Sequence, residues 1–223
     1  MTQIEFINKI REIYINARNC KFIPKNNSEI LKRGTSHSIS SETEDLFGCY
    51  CAEKVKTPSK ISILIDPPIS FKGTKLKNKS GKKSLLIRPD IVFINNGFAN
   101  CFFDLKTDLG YKRHELLNQA IEKDELLEKI KGQPAKYKDG KTKNEFRINI
   151  SKDIKFIYIV LSSGNIRSNK LIEYVNGINK LNNIEIYILS TGEHLNSYSL
   201  TSDWVLNKSD FDKLDVIITN KLK

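Results

Sequence analysis

Long apolar runs are missing from this chain. No stretch approaches the roughly 20 residues that a membrane-spanning helix needs, and the opening residues "MTQIEFINKIREIYI" are amphipathic. They lack the charged end and apolar block of a secretory leader, so neither a membrane span nor export is expected. Cysteine is scarce: Cys20, Cys49, Cys51 and Cys101 form no CxxC pair. That excludes the common zinc spacing and suits reduced core thiols in a cytoplasmic protein. His37, His114 and His194 are scattered without ligand spacing. The phosphate-loop pattern GxxxxGK also fails, because Leu76 stands where the first glycine is needed and Lys83 where Ser or Thr belongs.

Acid is in deficit as well. Asp and Glu number 26 against 37 Lys and Arg, which leaves a formal charge of +11 and a pI near 9.4. An AT-rich genome produces lysine-rich chains of this kind, but the clustering points to a polyanion partner. "KGTKLKNKSGKK" (72–83) holds six lysines and no acid, and "KYKDGKTKNEFR" (136–147) holds four lysines and an arginine. Neither stretch has the period of a membrane-surface helix, so nucleic acid is the expected partner. Lys72, Lys75, Lys77, Lys79, Lys82 and Lys83 are the expected contacts to its phosphates.

With 39% hydrophobic and 28% charged residues, a chain of 223 residues suits one globular domain. Thr2 and Glu5 have capping-box spacing ahead of Phe6, Ile10, Ile13 and Ala17, which predicts an N-terminal helix, with a polar linker to about residue 40. "SSETEDLFGCYCAEKV" predicts a second helix, with Ser40 or Ser41 as N-cap and Leu46, Phe47, Tyr50 and Cys51 inward. "ISILI" (61–65) reads as a strand ended by Pro67 and Pro68, and 72–83 as an exposed loop. Asn96-Gly97 between apolar runs predicts a hairpin of strands 85–94 and 99–106. Then come a helix over 111–131 with Leu116, Leu117, Ala120, Ile121, Leu127 and Ile130 inward, and a strand at 154–162 buried on both faces. A helix near 169–181, a strand at 184–190 and a C-terminal helix complete the chain. The order predicts an α/β fold with a mixed sheet flanked by helices. Residues 41–162 form its core, between an N-terminal helix and linker (1–40) and a C-terminal extension (163–223).

Inside the hairpin "RPDIVFINNGFANCFFDLKTD", Asp90 and Asp104 occupy greasy surroundings, and a buried carboxylate without a partner is costly. A two-residue turn puts Asp90 opposite Phe103; a loop one residue longer puts it opposite Asp104. Either way two acids lie within one residue across the ladder, and strand period puts Lys106 on the face of Asp104. A structural ion pair at a sheet end, Asp104 with Lys106 or Asp90 with Arg88, would account for these acids on the short motif alone. Two opposed anions instead invite a hard divalent cation, and a lysine beside them can orient water on a phosphorus centre.

This arrangement resembles the PD-(D/E)XK nuclease superfamily, whose core runs helix, three strands, helix, strand. "RPD" (88–90) and "DLK" (104–106) match its motifs, and the resemblance covers roughly residues 40–162. It implies a restriction endonuclease-like fold, with Asp90 and Asp104 holding Mg²⁺ (Mn²⁺ able to substitute) and Lys106 orienting the attacking water. Many members add an acid from the first core helix; of Glu42, Glu44 and Asp45, Glu44 is the expected one, though it also has capping-box spacing from Ser41. Lys112 and Arg113, just past Lys106, are expected to touch the flanking phosphates or a base edge. Gln133 and Tyr137 have a spacing known among exonuclease-like relatives, but Pro134 argues against a helix there. The implied function is Mg²⁺-dependent cleavage of double-stranded DNA by a homodimeric type II restriction enzyme. The alternatives are a structure-specific repair or junction-resolving nuclease and an inactive DNA-binding module.

Overall fold

The computed structural model describes residues 1–19, 21, 35–55, 61–71, 85–109, 115–195 and 203–221. The lysines expected on phosphates in 72–83, and Lys112 and Arg113, lie outside the described residues. The Thr2–Glu5 capping box forms as expected and starts α1 (Gln3–Asn16), which buries Phe6, Ile7 and Ile10. Next comes α2 (Ser40–Ala52), burying Phe47, Tyr50 and Cys51. The strands that follow are β1 (Ile61–Ile65), β2 (Ile69–Ser70), β3 (Leu86–Ile87), β4 (Ile91–Asn95) and β5 (Phe98–Lys106). Then come α3 (Leu116–Ile130), β6 (Pro134–Lys138), β7 (Glu145–Val160), α4 (Ser168–Ile178) and β8 (Ile184–Ile188). A short ribbon of β9 (Ser190–Gly192) and β10 (Trp204–Leu206) precedes α5 (Lys208–Lys221).

These elements form an α/β protein around an eight-stranded mixed sheet. Its order is β1-β4-β5-β7-β6-β2-β3, with β8 also on β7. The β5–β7 and β7–β8 pairs are parallel and the others antiparallel. Strand alternation sends side chains into two cores, one on each face. Val92, Phe102, Phe156 and Tyr158 pack with α3 and α4 residues such as Leu116, Leu127 and Ile178. On the other face Phe93, Phe103, Leu105 and Ile157 meet Phe6, Phe47, Tyr50, Phe211 and Leu214 from α1, α2 and α5.

The β1–β4 and β2–β3 pairs share one register, interrupted where Asp66, Pro67 and Pro68 face Asp90, Pro89 and Arg88. Proline has no N–H to give a ladder, so the pairing lapses there and β2 leaves to pair with β6. Asp66, exposed, and Asp90, half-buried, therefore sit at a break in the sheet.

Several expectations need correction. The strand expected at 154–162 is the second half of β7, whose first half pairs with β6 as a hairpin over the basic stretch 136–147. Alternating lysines hid that hairpin, since its outer half faces water on both sides. Pro134 opens β6, which agrees with the absence of a helix there. Ile121 is 40% exposed rather than inward, because α3 turns only its Leu116–Ala120–Leu127–Ile130 stripe to the sheet.

Candidate active site

Asn96 (φ 51°) and Gly97 (φ 79°) both take positive φ, as a two-residue turn of the primed type demands. Beside the turn Asn95 faces Phe98 and Ile94 faces Ala99; further on, Phe93 faces Cys101 and Ile91 faces Phe103. The extra residue is Asn100, a β-bulge. The short turn and the longer register are thus both present, joined by the bulge. Continued past Ile91, this register sets Asp90 beside Asp104. Two hydrogen bonds bracket it: Asp90 N–H donates to the Phe103 carbonyl (3.0 Å), and Asp90 Oδ2 accepts from Leu105 N–H (2.6 Å). Across the other ladder Asp66 N–H donates to the Asp90 carbonyl (2.7 Å). Asp66, Asp90 and Asp104 form one row across three strands, continued by Tyr158, which pairs with Asp104.

Asp104 is buried, at 9% exposure. Its Oδ2 accepts from Lys123 Nζ on α3 at 2.6 Å, and its Oδ1 forms an ion pair with Lys106. Both carboxylate oxygens of Asp104 are thus held by lysine ammonium groups. Burial alone would raise the Asp104 carboxyl, but the Lys123 and Lys106 ammonium groups hold it below the ordinary range. Asp90 goes the other way: burial, then the charge of Asp104, push it up to about 6. Burial lowers Lys123, against the pull of Asp104. Its Nζ lies 3.9 Å from the Phe156 ring centre and 4.9 Å from that of Tyr158. The Tyr158 hydroxyl is buried without a hydrogen-bond partner among the described residues, and burial followed by the Asp104 charge raises it.

Glu44 sits in the first turns of α2, whose N-cap is Ile39 and carries no side-chain cap. Glu44 therefore caps nothing; its Oε1 accepts from Ser40 Oγ at 3.0 Å. Burial raises its carboxyl against that bond, and the charges of Asp66, Asp45 and Asp104 raise it further. Glu42 and Asp45 are exposed, which singles out Glu44. The helix is seated tightly: a Cβ on Gly48 would stand 2.8 Å from Ile65 Cδ1 at the end of β1. Glu44 is close enough to feel the charges of Asp66 and Asp104.

The structure brings Asp90, Asp104 and Lys106 together, and Glu44 lies near enough for its charge to act on Asp90. Asp108 is drawn aside, with His194 Nε2 3.6 Å from its carboxylate. Sequence reading missed Lys123, Asp66 and Tyr158. Lys123 had a visible signal, since it lies three residues after Ala120 and four before Leu127, within the apolar stripe of α3. A lysine at such a position either snorkels or finds an acid.

Among the described residues no three acidic, histidine or cysteine side chains converge closely enough to enclose a metal ion by themselves. Two carboxylates nevertheless suit Mg²⁺, which binds through one or two of them and keeps waters or phosphate oxygens elsewhere. Asp90, its carboxyl raised by burial and by the neighbouring Asp104 charge, is the group that a cation would satisfy. The residues fit the ion. Neither family models, nor curated proteins, nor solved structures provide a match to this chain.

Proposed function

We propose that this chain is a Mg²⁺-dependent endonuclease of double-stranded DNA, of the PD-(D/E)XK type. One observation carries the reading: a bulge aligns Asp90 with Asp104 at a break in the sheet, where Lys106 and Lys123 converge on Asp104. An α2-β1-β4-β5-α3-β7 order around that point supports it, with β2, β3 and β6 added. Asp90 and Asp104 would hold the ion, which when bound acidifies water and offsets charge on the attacked phosphate.

The chain's own groups do the rest. Lys123 keeps Asp104 ionised despite burial. Lys106, a compact ammonium beside Asp104, orients the attacking water and stabilises negative charge as it develops on phosphate oxygens. Glu44, its carboxyl raised, accepts a proton from that water. Hydrolysis joins the water's oxygen to phosphorus, breaks one P–O ester bond and passes a proton to the leaving alkoxide. A cytoplasmic setting suits the free thiols of Cys51 and Cys101, and no helix among the described residues is long and apolar enough to cross a membrane.

The narrower form of the proposal is a type II restriction enzyme, two identical copies cutting a two-fold site. The test incubates the protein with long duplex DNA and Mg²⁺ and sequences the new ends. Discrete ends sharing one short palindrome are expected, since base contacts discriminate by roughly 1–3 kcal/mol per pair. Cutting of branched substrates alone would favour a structure-specific nuclease. Intact DNA of both kinds, in Mg²⁺ and in Mn²⁺, would leave only a binding module.

A further inference from the structure

The β6–β7 hairpin carries charge that the site does not use. Between residues 136 and 147 it holds Lys136, Lys138, Lys141, Lys143 and Arg147 against Asp139 and Glu145. Asp139 is committed to the turn, accepting from Thr142 N–H (2.5 Å), Thr142 Oγ1 (2.7 Å) and Lys141 N–H (3.1 Å). Glu145 lies 3.7 Å from Lys136. Lys138, Lys141 and Arg147 have no ion pair among the described residues. The hairpin is stiffened from within, because Tyr137 and Phe146 pair across the ladder and stack with centroids 5.2 Å apart. A surplus of cations on a stiff two-stranded ribbon suits a polyanion better than an apolar partner.

Its placement matters as much. A groove of about 570 Å³ runs between the hairpin tip (Tyr137, Lys138, Lys143) and the end of β1 with Asp66 and Pro67. Asp66 is bonded to the Asp90 backbone. The hairpin wall of the groove carries Lys138 and Lys143 beside the turn-bound Asp139, and the groove leads to the row of aspartates at Asp66. We propose that this hairpin is an arm that grips the phosphates of a DNA duplex along the groove, independently of sequence, through Lys138, Lys141 and Lys143. The inference rests on reading the aspartate row as the phosphodiester site, which orients the duplex. A two-stranded ribbon is narrow enough to lie along a DNA groove with its tip on the backbone.

The test measures binding of the full chain to a random-sequence duplex in EDTA, by fluorescence anisotropy over a series of KCl concentrations. Each phosphate contact adds about 0.9 to the slope of log affinity against log salt. Lys138→Gln, Lys141→Gln and Lys143→Gln together are expected to cut the slope by about 2.7, and each alone by about 0.9. Lys9→Gln, Lys180→Gln and Lys213→Gln together, on exposed sites elsewhere, are the control and should leave it unchanged. The single variants, with thermal midpoints equal to wild type, keep the result readable if the triple variant unfolds. Equal slopes for hairpin and control variants would overturn the arm, as would a wild type that ignores DNA. Tighter, hairpin-dependent binding to anionic lipid vesicles than to DNA would overturn it too. Because no cleavage is measured, a chain that grips DNA through the hairpin but never cuts it keeps the arm and loses only the nuclease reading.

Discussion

Asp104 lies between two ammonium groups, while Asp90 has its carboxylate on a backbone N–H and no lysine or arginine ion pair among the described residues. Their substitutions should therefore act oppositely on the metal-free protein, although either should abolish cleavage. Asp104→Asn leaves Lys123 and Lys106 facing a neutral group and is expected to cost about 2 kcal/mol, less than a fully buried pair because both lysine side chains stay partly exposed. Asp90→Asn removes the repelled anion and should leave the urea midpoint at pH 7 equal or higher. The pH dependence has a definite sign. With Asp90 raised to about 6, the folded chain holds a proton between about pH 4 and 6 that the unfolded chain has lost, so stability falls as pH rises through that window. Urea titrations in EDTA at several pH values should show that fall in wild type and a flatter profile in Asp90→Asn. A third outcome separates the lysines: Lys106→Ala should be inactive at any pH. Lys123→Met lets burial lift the Asp104 carboxyl, so its pH–rate profile should move to higher pH and activity should partly return there.

At the scale of elements, the hairpin is the device that aligns the site. Its turn alone would direct Asp90 toward Phe103, into the core beneath α2; the Asn100 bulge turns it to the face of Asp104. Deleting Asn100 removes the bulge and slips every residue of one strand past its partner by one, which exchanges the two faces. The deletion should therefore abolish cleavage and destabilise the fold. Gly97→Ala, at φ 79°, is the contrasting change: it should cost about 1 kcal/mol and leave cleavage intact, because it strains the turn without changing register. Comparing the two by denaturation and cleavage isolates register from stability.

For the whole molecule, the residues after 162 are not an appendage. Phe211, Leu214 and Ile218 of α5 are fully buried in the core shared by α1 and α2, and Tyr50 Oη donates to Asp215 at 2.6 Å. α1 in turn braces the exit of β5, where Tyr14 Oη donates to the Thr107 carbonyl (3.0 Å) next to Lys106. Phe211→Ala should cost about 3–5 kcal/mol by calorimetry or urea melts, in the range of other large core truncations. Ending the chain after Leu206 should prevent a stable fold. A truncated chain that keeps native near-ultraviolet dichroism would contradict this account of the core.

Local chemistry was enough to determine much of this from sequence. The Thr2–Glu5 cap, the Asn96-Gly97 turn, the amphipathic α3 and the doubly buried end of β7 each depend on neighbours a few residues away. The same holds for Asp104 and Lys106 sharing a face, since strand period is a property of one strand. Tertiary structure decided the rest. A bulge is chosen by how two strands pack on both cores at once, so the sequence left two registers open and the fold used both. Lys123 reaches Asp104 only because α3 packs over β7, the neighbour of β5, and Glu44 is half-buried while Glu42 and Asp45 are exposed only because of how α2 is seated against Ile65. The β6–β7 hairpin was hidden because alternating lysines carry no hydrophobic period, and its pairing depends on partners in β2 and β5 that are distant in the chain.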